Sequence, residues 1–189
     1  VVRTGVDLAY FAPREVDPGG ASIGFVGAMD YPPNAEGALR FAREVLPRIR
    51  AERPEAEFVV IGRRPPAELA ALPGVRVTGW VTDVRETLSR MALAVVPIDD
   101  AHGVQTKALV GMALGLPTIM TPAAAAGLEA ADGRHVLVAD DAPEFAGAVL
   151  RLLDNADERR RLAVAGRRFV EEQCDWERNL KVLERLLGT

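Results

Sequence analysis

The chain has 189 residues, 49% of them hydrophobic, and a formal net charge of −4 at pH 7, enough apolar material to bury one core. Its lysines and arginines are interspersed with acids and form no stripe, which argues against nucleic acid as a partner held by bulk charge. The longest apolar run, residues 91–98, spans eight residues, far below the roughly 18 to 20 that cross a bilayer.

The sequence opens on Val1-Val2-Arg3, with neither a start methionine nor a basic-then-apolar leader, and reads as an excised piece. Residues 1–20 are irregular and are expected to form a linker or arm. The pattern then alternates short β-branched runs with longer amphipathic ones. Residues 23–26 predict a strand ending at Gly27. Asn34 is placed to cap a helix whose apolar positions Leu39, Ala42, Leu46 and Ile49 keep helical spacing. A strand over 58–61 closes on Gly62, a short helix covers 66–72, and a strand covers 75–78. Asp83 is expected to cap a helix over 83–91. Strands over 93–97, 118–121 and 135–138 follow, with a helix over 104–115 between the first two. AAAAG at 123–127 reads as a small, flexible turn.

Strands this apolar, separated by helices, predict β-α units around a parallel sheet buried on both faces. The expected fold is a three-layer α/β domain, open and doubly wound in the Rossmann manner. Beyond 138 the pattern turns helical, over 142–153, 157–172 and 176–187. The arginines of the middle helix, in ERRRLAVAGRRF, are expected to solvate a surface face. The lone cysteine, Cys174, can form no intrachain disulfide, is expected as a semi-buried filler and fits a cytoplasmic location.

In such a sheet, ligands bind outside the carboxyl ends of the strands. This nominates 27–34, 62–65, 79–83 and 99–107. The first three begin with a glycine, Gly27, Gly62 or Gly79, which would let a ligand approach the backbone. The fourth ends at Lys107, in the first turn of a helix whose unpaired amides and dipole already favour an anion. A lysine there disfavours the helix unless an anion sits between. His102 lies in the same ligand-facing loop, whereas His135, at the start of a strand, reads as structural. Neither histidine has partners at metal-ligand spacing, so no metal site is expected. No phosphate-binding Gly-rich motif and no nucleophile elbow occurs.

Seven segments occur in order over essentially the whole chain: TGVDLAYFAP, IGFVGAMDYPPNAEGALRFAREVLP, FVVIGRRP, VRVTGWVTDV, LAVVPI, KALVGMALGLPTIMTP and GRHVLVADDAPEFAGAVLRLLDN. Together they resemble the C-terminal half of GT-B-fold glycosyltransferases of the retaining group 1 (family 4) type. Within that type the sequence is most similar to bacterial sugar transferases linked to exopolysaccharide synthesis. The resemblance implies residues 21–140 as a Rossmann-like nucleotide-sugar-binding domain and 141–189 as C-terminal helices packing on it. It also implies an acceptor-binding N-terminal domain that these residues do not include, and any peripheral membrane contact would fall to that half.

By the same resemblance, the nucleobase meets backbone at Gly79, Trp80 and Val81. The donor diphosphate meets Gly27 and Ala28 after the first strand, and the start of the 104–115 helix, with Lys107 as its cation. Gly62, Arg63, Gly103, Val104, Gln105 and Thr106 lie in the nominated loops and complete the expected donor site, with Lys107 and His102 as the catalytic candidates. The family commonly carries two glutamates around this helix, for the donor sugar and the ribose; His102 and Val110 stand at those positions. The Arg and Lys that often follow the first strand are replaced by Asp30 to Asn34. No cofactor or metal is expected beyond the nucleotide diphosphate sugar. A degenerate, non-catalytic half serving as a scaffold is the alternative. A nucleotide-sugar epimerase would need acid/base residues that the loops do not offer.

Overall fold

A computed structural model of the chain describes residues 4–14 and 20–187. Residues 1–3 and 15–19 of the expected arm fall outside the described residues. The β-branched and aromatic runs form six strands: β1 (Ser22–Val26), β2 (Glu57–Ile61), β3 (Val75–Gly79), β4 (Leu93–Val96), β5 (Thr118–Met120) and β6 (Leu137–Val138). They join into one sheet of order β3-β2-β1-β4-β5-β6, parallel at every pairing. This is the doubly wound arrangement that the alternating pattern predicts. Along β2, Phe58 and Val60 enter one hydrophobic cluster while Val59 and Ile61 enter another with Leu88, Met91, Leu114 and Leu116. That period of two is the mark of a strand covered on both faces.

The helix after β1 is one continuous rod over 32–52 with a defect in it. It runs as α1 (Pro32–Arg40), a π-helical turn (Phe41–Val45) and α2 (Leu46–Glu52). Pro47 has no N–H for the carbonyl one turn back and its ring crowds that turn. The chain widens just upstream instead, with the Leu46 amide donating to the Phe41 carbonyl. Phe41, Ala42, Val45, Leu46 and Ile49 are buried, and Leu39 packs half-buried against the same core. Phe41 stands 4.4 Å from the Phe58 ring and 5.6 Å, edge-on, from Phe145, tying this helix to the sheet and to the helical tail.

The remaining helices are α3 (Ala67–Ala70), α4 (Val84–Leu88), α5 (Thr106–Ala113), α6 (Pro122–Ala125), α7 (Ala142–Asp154), α8 (Ala156–Gln173) and α9 (Trp176–Leu187). Asp83 caps α4 as expected, accepting from the Arg85 amide at 2.9 Å. Asn34 is not a cap: the helix already begins at Pro32, and Asn34 is buried inside it, donating from Nδ2 to the Ala28 carbonyl at 2.9 Å. The alanine run is not a loose turn. Thr121 caps it through the Ala124 amide and makes it helix α6. His135 precedes β6, where its ring lies 4.9 Å from Phe169 and its Nδ1 accepts from the Ala131 amide, a structural role as read.

The arginines of α8 do more than solvate. Arg159 donates to the carbonyls of Leu152 and Leu153, satisfying the end of α7. Arg167 donates to Ala113 at the end of α5 and to Phe11 of the arm. The arm is further held by the Val6 amide on the Cys174 carbonyl at 2.8 Å and by the Arg85 guanidinium 3.7 Å over the Tyr10 ring. Cys174 is buried. No helix of the described residues is long and apolar enough to cross a membrane.

Phe41 joins three elements, so its truncation tests the core. Phe41→Ala is expected to cost about 3–5 kcal/mol in urea unfolding. A loss below about 1 kcal/mol would show that the aromatic cluster does not hold the helix to the sheet.

Candidate functional site

The strand order reverses between β1 and β4, and at such a switch point the two following loops diverge and leave a crevice at the carboxyl ends. The loops after β1 and β2 leave in register. The Gly27 amide donates to Ile61, the Gly62 amide to Gly79, and the Met29 amide to Arg63, all at 3.0–3.1 Å. A Cβ on Gly62 would lie 1.7 Å from the Gly27 carbonyl oxygen, and one on Gly27 2.8 Å from the Asn34 amide nitrogen. A side chain at either position would collide with its neighbours, so packing alone already requires glycine at both. Gly79 and Gly103 are different. They have φ of +70° and +71°, and nothing within 4 Å of where a Cβ would stand.

The loop after β4 is fixed from both sides. Thr121 Oγ1 donates to the Ile98 carbonyl. A Cβ on Gly127, beyond α6, would lie 2.4 Å from the Gly103 carbonyl oxygen and 3.0 Å from the Val104 nitrogen, so that segment rests directly on Gly103 and Val104. Gln105, itself buried, occupies the cap position of α5 but makes no capping bond. Its amide group turns to the loop and to Lys107 instead: Nε2 donates to Gly103 at 3.4 Å, and Oε1 accepts from Lys107 Nζ at 2.7 Å.

Lys107 is the second residue of α5 and is half-buried. Among the described residues no carboxylate lies within 4.0 Å of its ammonium, and α5 has no acid in its first turn. Burial lowers its pKa from the ordinary 10.5 to about 8. The first-turn amides, the positive dipole end and an unpaired ammonium converge where an anion is needed to balance them. By contrast, the 390 Å³ recess between α1 and the β4 loop is lined by Glu36, Glu44, Asp99 and Asp100, and Arg40 there is already paired with Asp99 at 2.8 Å. With Arg40 and Arg43 also in its lining, that recess still carries more acids than bases and suits phosphate less well than the start of α5.

The structure thus gathers Gly103, Val104, Gln105, exposed Thr106 and Lys107 into one unit. His102 lies on the same loop with its ring exposed, Nε2 standing 3.1 Å from Asp100 Oδ1. Ala28 is half-buried beside Gly27, its carbonyl held by Asn34. Trp80 is 71% exposed directly after Gly79, and Val81 packs against the second cluster. Val110 sits one turn beyond Lys107, half-buried between the two clusters. No group of three or more His, Cys, Asp or Glu able to hold a metal occurs among the described residues.

Two features were not visible in the sequence. Arg63 and Arg64 both reach Asp30 of the β1 loop at 3.3 Å, and Arg64 is a non-glycine residue at φ +53°, a conformation uncommon for such a side chain. Basic residues on the second loop thus border the place where the resemblance leads one to look on the first. The Gln105–Lys107 bond is the other: nothing in a two-residue spacing announces that a glutamine forgoes its cap to hold a lysine.

A family model for glycosyl transferases group 1 matches residues 20–155. No curated protein sequence matches the chain significantly. Among solved structures, Anabaena HepE in complex with UDP superposes with a TM-score of 0.79 at 12% identity, over 98% of this chain and 56% of its own. Sucrose-phosphate synthase from Thermosynechococcus elongatus does so at 0.81 and 20%, over 99% and 51%. The C-terminal domain of LpcC, a group 1 glycosyl transferase family protein from Francisella tularensis, does so at 0.72 and 22%, over 91% and 100%. The chain spans 37% of the length of TarM and 56% of that of HepE. At these identities the likeness is one of fold, that of a GT-B C-terminal domain, and the family match over most of the chain makes it a member of the group 1 glycosyl transferases.

Proposed function

We propose that the chain is the donor-binding half of a glycosyltransferase that moves a sugar from a nucleotide diphosphate sugar to a hydroxyl acceptor. The observation that carries this reading is Lys107, a half-buried ammonium with no carboxylate partner at the amino end of α5. As the bond from the sugar to the diphosphate breaks, negative charge gathers on the leaving oxygen. Lys107 and the α5 amides face that charge in a partly desolvated site, where fixed dipoles stabilise it without reorganisation. They supply the positive charge, so the reading takes no metal ion. Open backbone at Gly79 and the exposed Trp80 lie at the same carboxyl end of the sheet, after the edge strand β3, where the base would rest, and HepE is solved in complex with UDP on the same fold. The acceptor hydroxyl belongs to an exopolysaccharide or another glycoconjugate of a bacterial cytoplasm, and the acceptor-binding half is a separate domain, so the 189-residue chain alone turns over nothing.

A second reading is favoured by one residue. Val110 cannot accept hydrogen bonds from a ribose, which fits a degenerate half that acts as a scaffold. It predicts no UDP binding, and an effect of Lys107 on stability alone.

Calorimetry with UDP separates the two. Weak binding by the wild-type chain is expected, and Lys107→Met should weaken it about tenfold or more, the scale of a lost charged hydrogen bond. The same substitution should raise stability to urea by about 1 kcal/mol, because it removes an uncompensated buried charge and keeps an apolar stem. Equal UDP binding by both proteins would rule out Lys107 as the diphosphate partner.

The pH dependence has a fixed sign. Lys107 titrates at about 8 in the fold against an ordinary 10.5. The free protein loses the ammonium as pH rises through 8, and UDP affinity should fall across that range in calorimetry, a fall absent in Lys107→Met. Stability runs the other way: between 8 and 10.5 the unfolded chain holds the extra proton, so the lysine's contribution to stability rises with pH.

Val110→Glu restores a carboxylate one turn from Lys107. It should tighten UDP about tenfold through the ribose hydroxyls, and leave the affinity for 2′,3′-dideoxy-UDP no better than that of the wild type. Equal gains for both nucleotides would place the new carboxylate away from the ribose.

A further inference from the structure

A second basic feature lies away from the donor crevice. Between α8 and the loop that enters β6 is a recess of 620 Å³, lined by Arg134, Arg160, Arg161 and Arg168 against only two carboxylates, Asp157 and Glu172. In a chain of net charge −4 this is a local reversal of sign. The available acids do not neutralise it. Arg168 is paired with Glu172 at 2.7 Å, but Arg160 stands 3.9 Å from Asp157, and Arg161 stands 3.6 Å from Glu158, which is already 2.9 Å from Arg151. Arg134 has no ion pair within 4.0 Å among the described residues.

The floor is suited to a ligand with both charged and flat parts. The His135 and Phe169 rings lie 4.9 Å apart, tilted by 31°. His135 is held below its ordinary pKa by burial and by Arg134, and its Nδ1 accepts from the Ala131 amide. The neutral ring therefore carries its proton on Nε2, a donor. Val164 adds an apolar wall that is 63% exposed. The recess lies at the amino end of β6, opposite to the crevice, so it is no extension of the donor site.

We propose that this recess binds a small phosphate-bearing molecule as an effector. Its concavity suits a molecule that enters between two walls, not a flat lipid surface, and guanidiniums are the side chains best matched to phosphate oxygens. The site backs onto α5. A Cβ on Gly166 of α8 would lie 2.9 Å from the His135 carbonyl oxygen and 3.6 Å from Met112 Cε of α5, so α8 is wedged between the recess and the helix that carries Lys107. Arg167, on the same turn of α8, holds the far end of α5 at Ala113. A ligand that draws Arg160 and Arg168 inward acts on the element that seats α5.

The test uses the 189-residue chain carrying Lys107→Met, which removes the donor-side cation, with inorganic pyrophosphate as the probe in calorimetry. Saturable binding is expected, weakened about tenfold or more by the double substitution R160Q/R168Q. Both side chains are more than three-quarters exposed (79% and 78%), so the fold is retained, as circular dichroism would record. In the chain with native Lys107, R160Q/R168Q should leave a UDP-binding component that Lys107→Met weakens about tenfold or more, which keeps a failure here distinct from a failure of donor binding. No saturable pyrophosphate binding, or binding that the arginine substitutions leave unchanged, overturns the proposal. So does sedimentation with vesicles of phosphatidylglycerol and phosphatidylcholine in equal parts that R160Q/R168Q abolishes while pyrophosphate does not bind, because it assigns the arginines to a lipid surface.

Discussion

An ammonium half-buried at the positive end of a helix is an unfavourable arrangement, and much of the surrounding structure exists to maintain it. Desolvation and the α5 dipole both act against the charge on Lys107. Gln105 turns its amide to the lysine, Gly103 anchors Gln105, and the backbone near Gly127 rests on Gly103 and Val104. At the other end of α5, Arg167 bonds Ala113 and the arm at once. A helix held at both ends keeps its lysine half-buried where it stands, and in the donor-binding reading proposed above an incoming anion would offset that cost.

The helical tail bears on the site through α5. α8 packs on α5 and β5, and its arginines close the ends of two other helices. Read from sequence, ERRRLAVAGRRF is a solvated face, because composition counts charges and cannot see which carbonyls lie within reach. Arg160 and Arg168 keep that solvated character, while Arg159 and Arg167 do not. The difference is decided by what α7 and α5 present to each position, a tertiary fact.

Where strands repeat and are buried on both faces, the local pattern is enough, and β1, β2 and β4 stand within a residue or two of where the periodicity puts them. Asp83 and Lys107 were also legible, since a cap and a first-turn charge are local signals. The misreadings come from interactions across loops. Asn34 looks like a cap until Pro32 starts the helix earlier and the side chain is needed to hold Ala28. That Gly27 and Gly62 are also required by packing shows only when the two loops are seen to meet. Each is a case in which a long-range contact outweighs a short-range preference.

Val110 and Lys107 are best understood together. They stand one turn apart on α5, the spacing at which opposite charges pair on a helix. A glutamate at 110 would serve a ribose, as the family resemblance implies, but it would also lie within reach of the lysine and give it an internal partner. With valine there, the ammonium's hydrogen-bond partner among the described residues is Gln105, which is neutral. In the donor-binding reading proposed above, valine at 110 would leave recognition to rest on the phosphates of the nucleotide and not on its sugar hydroxyls. A site built in that way would hold the diphosphate common to every nucleotide sugar more firmly than it distinguishes one nucleoside from another.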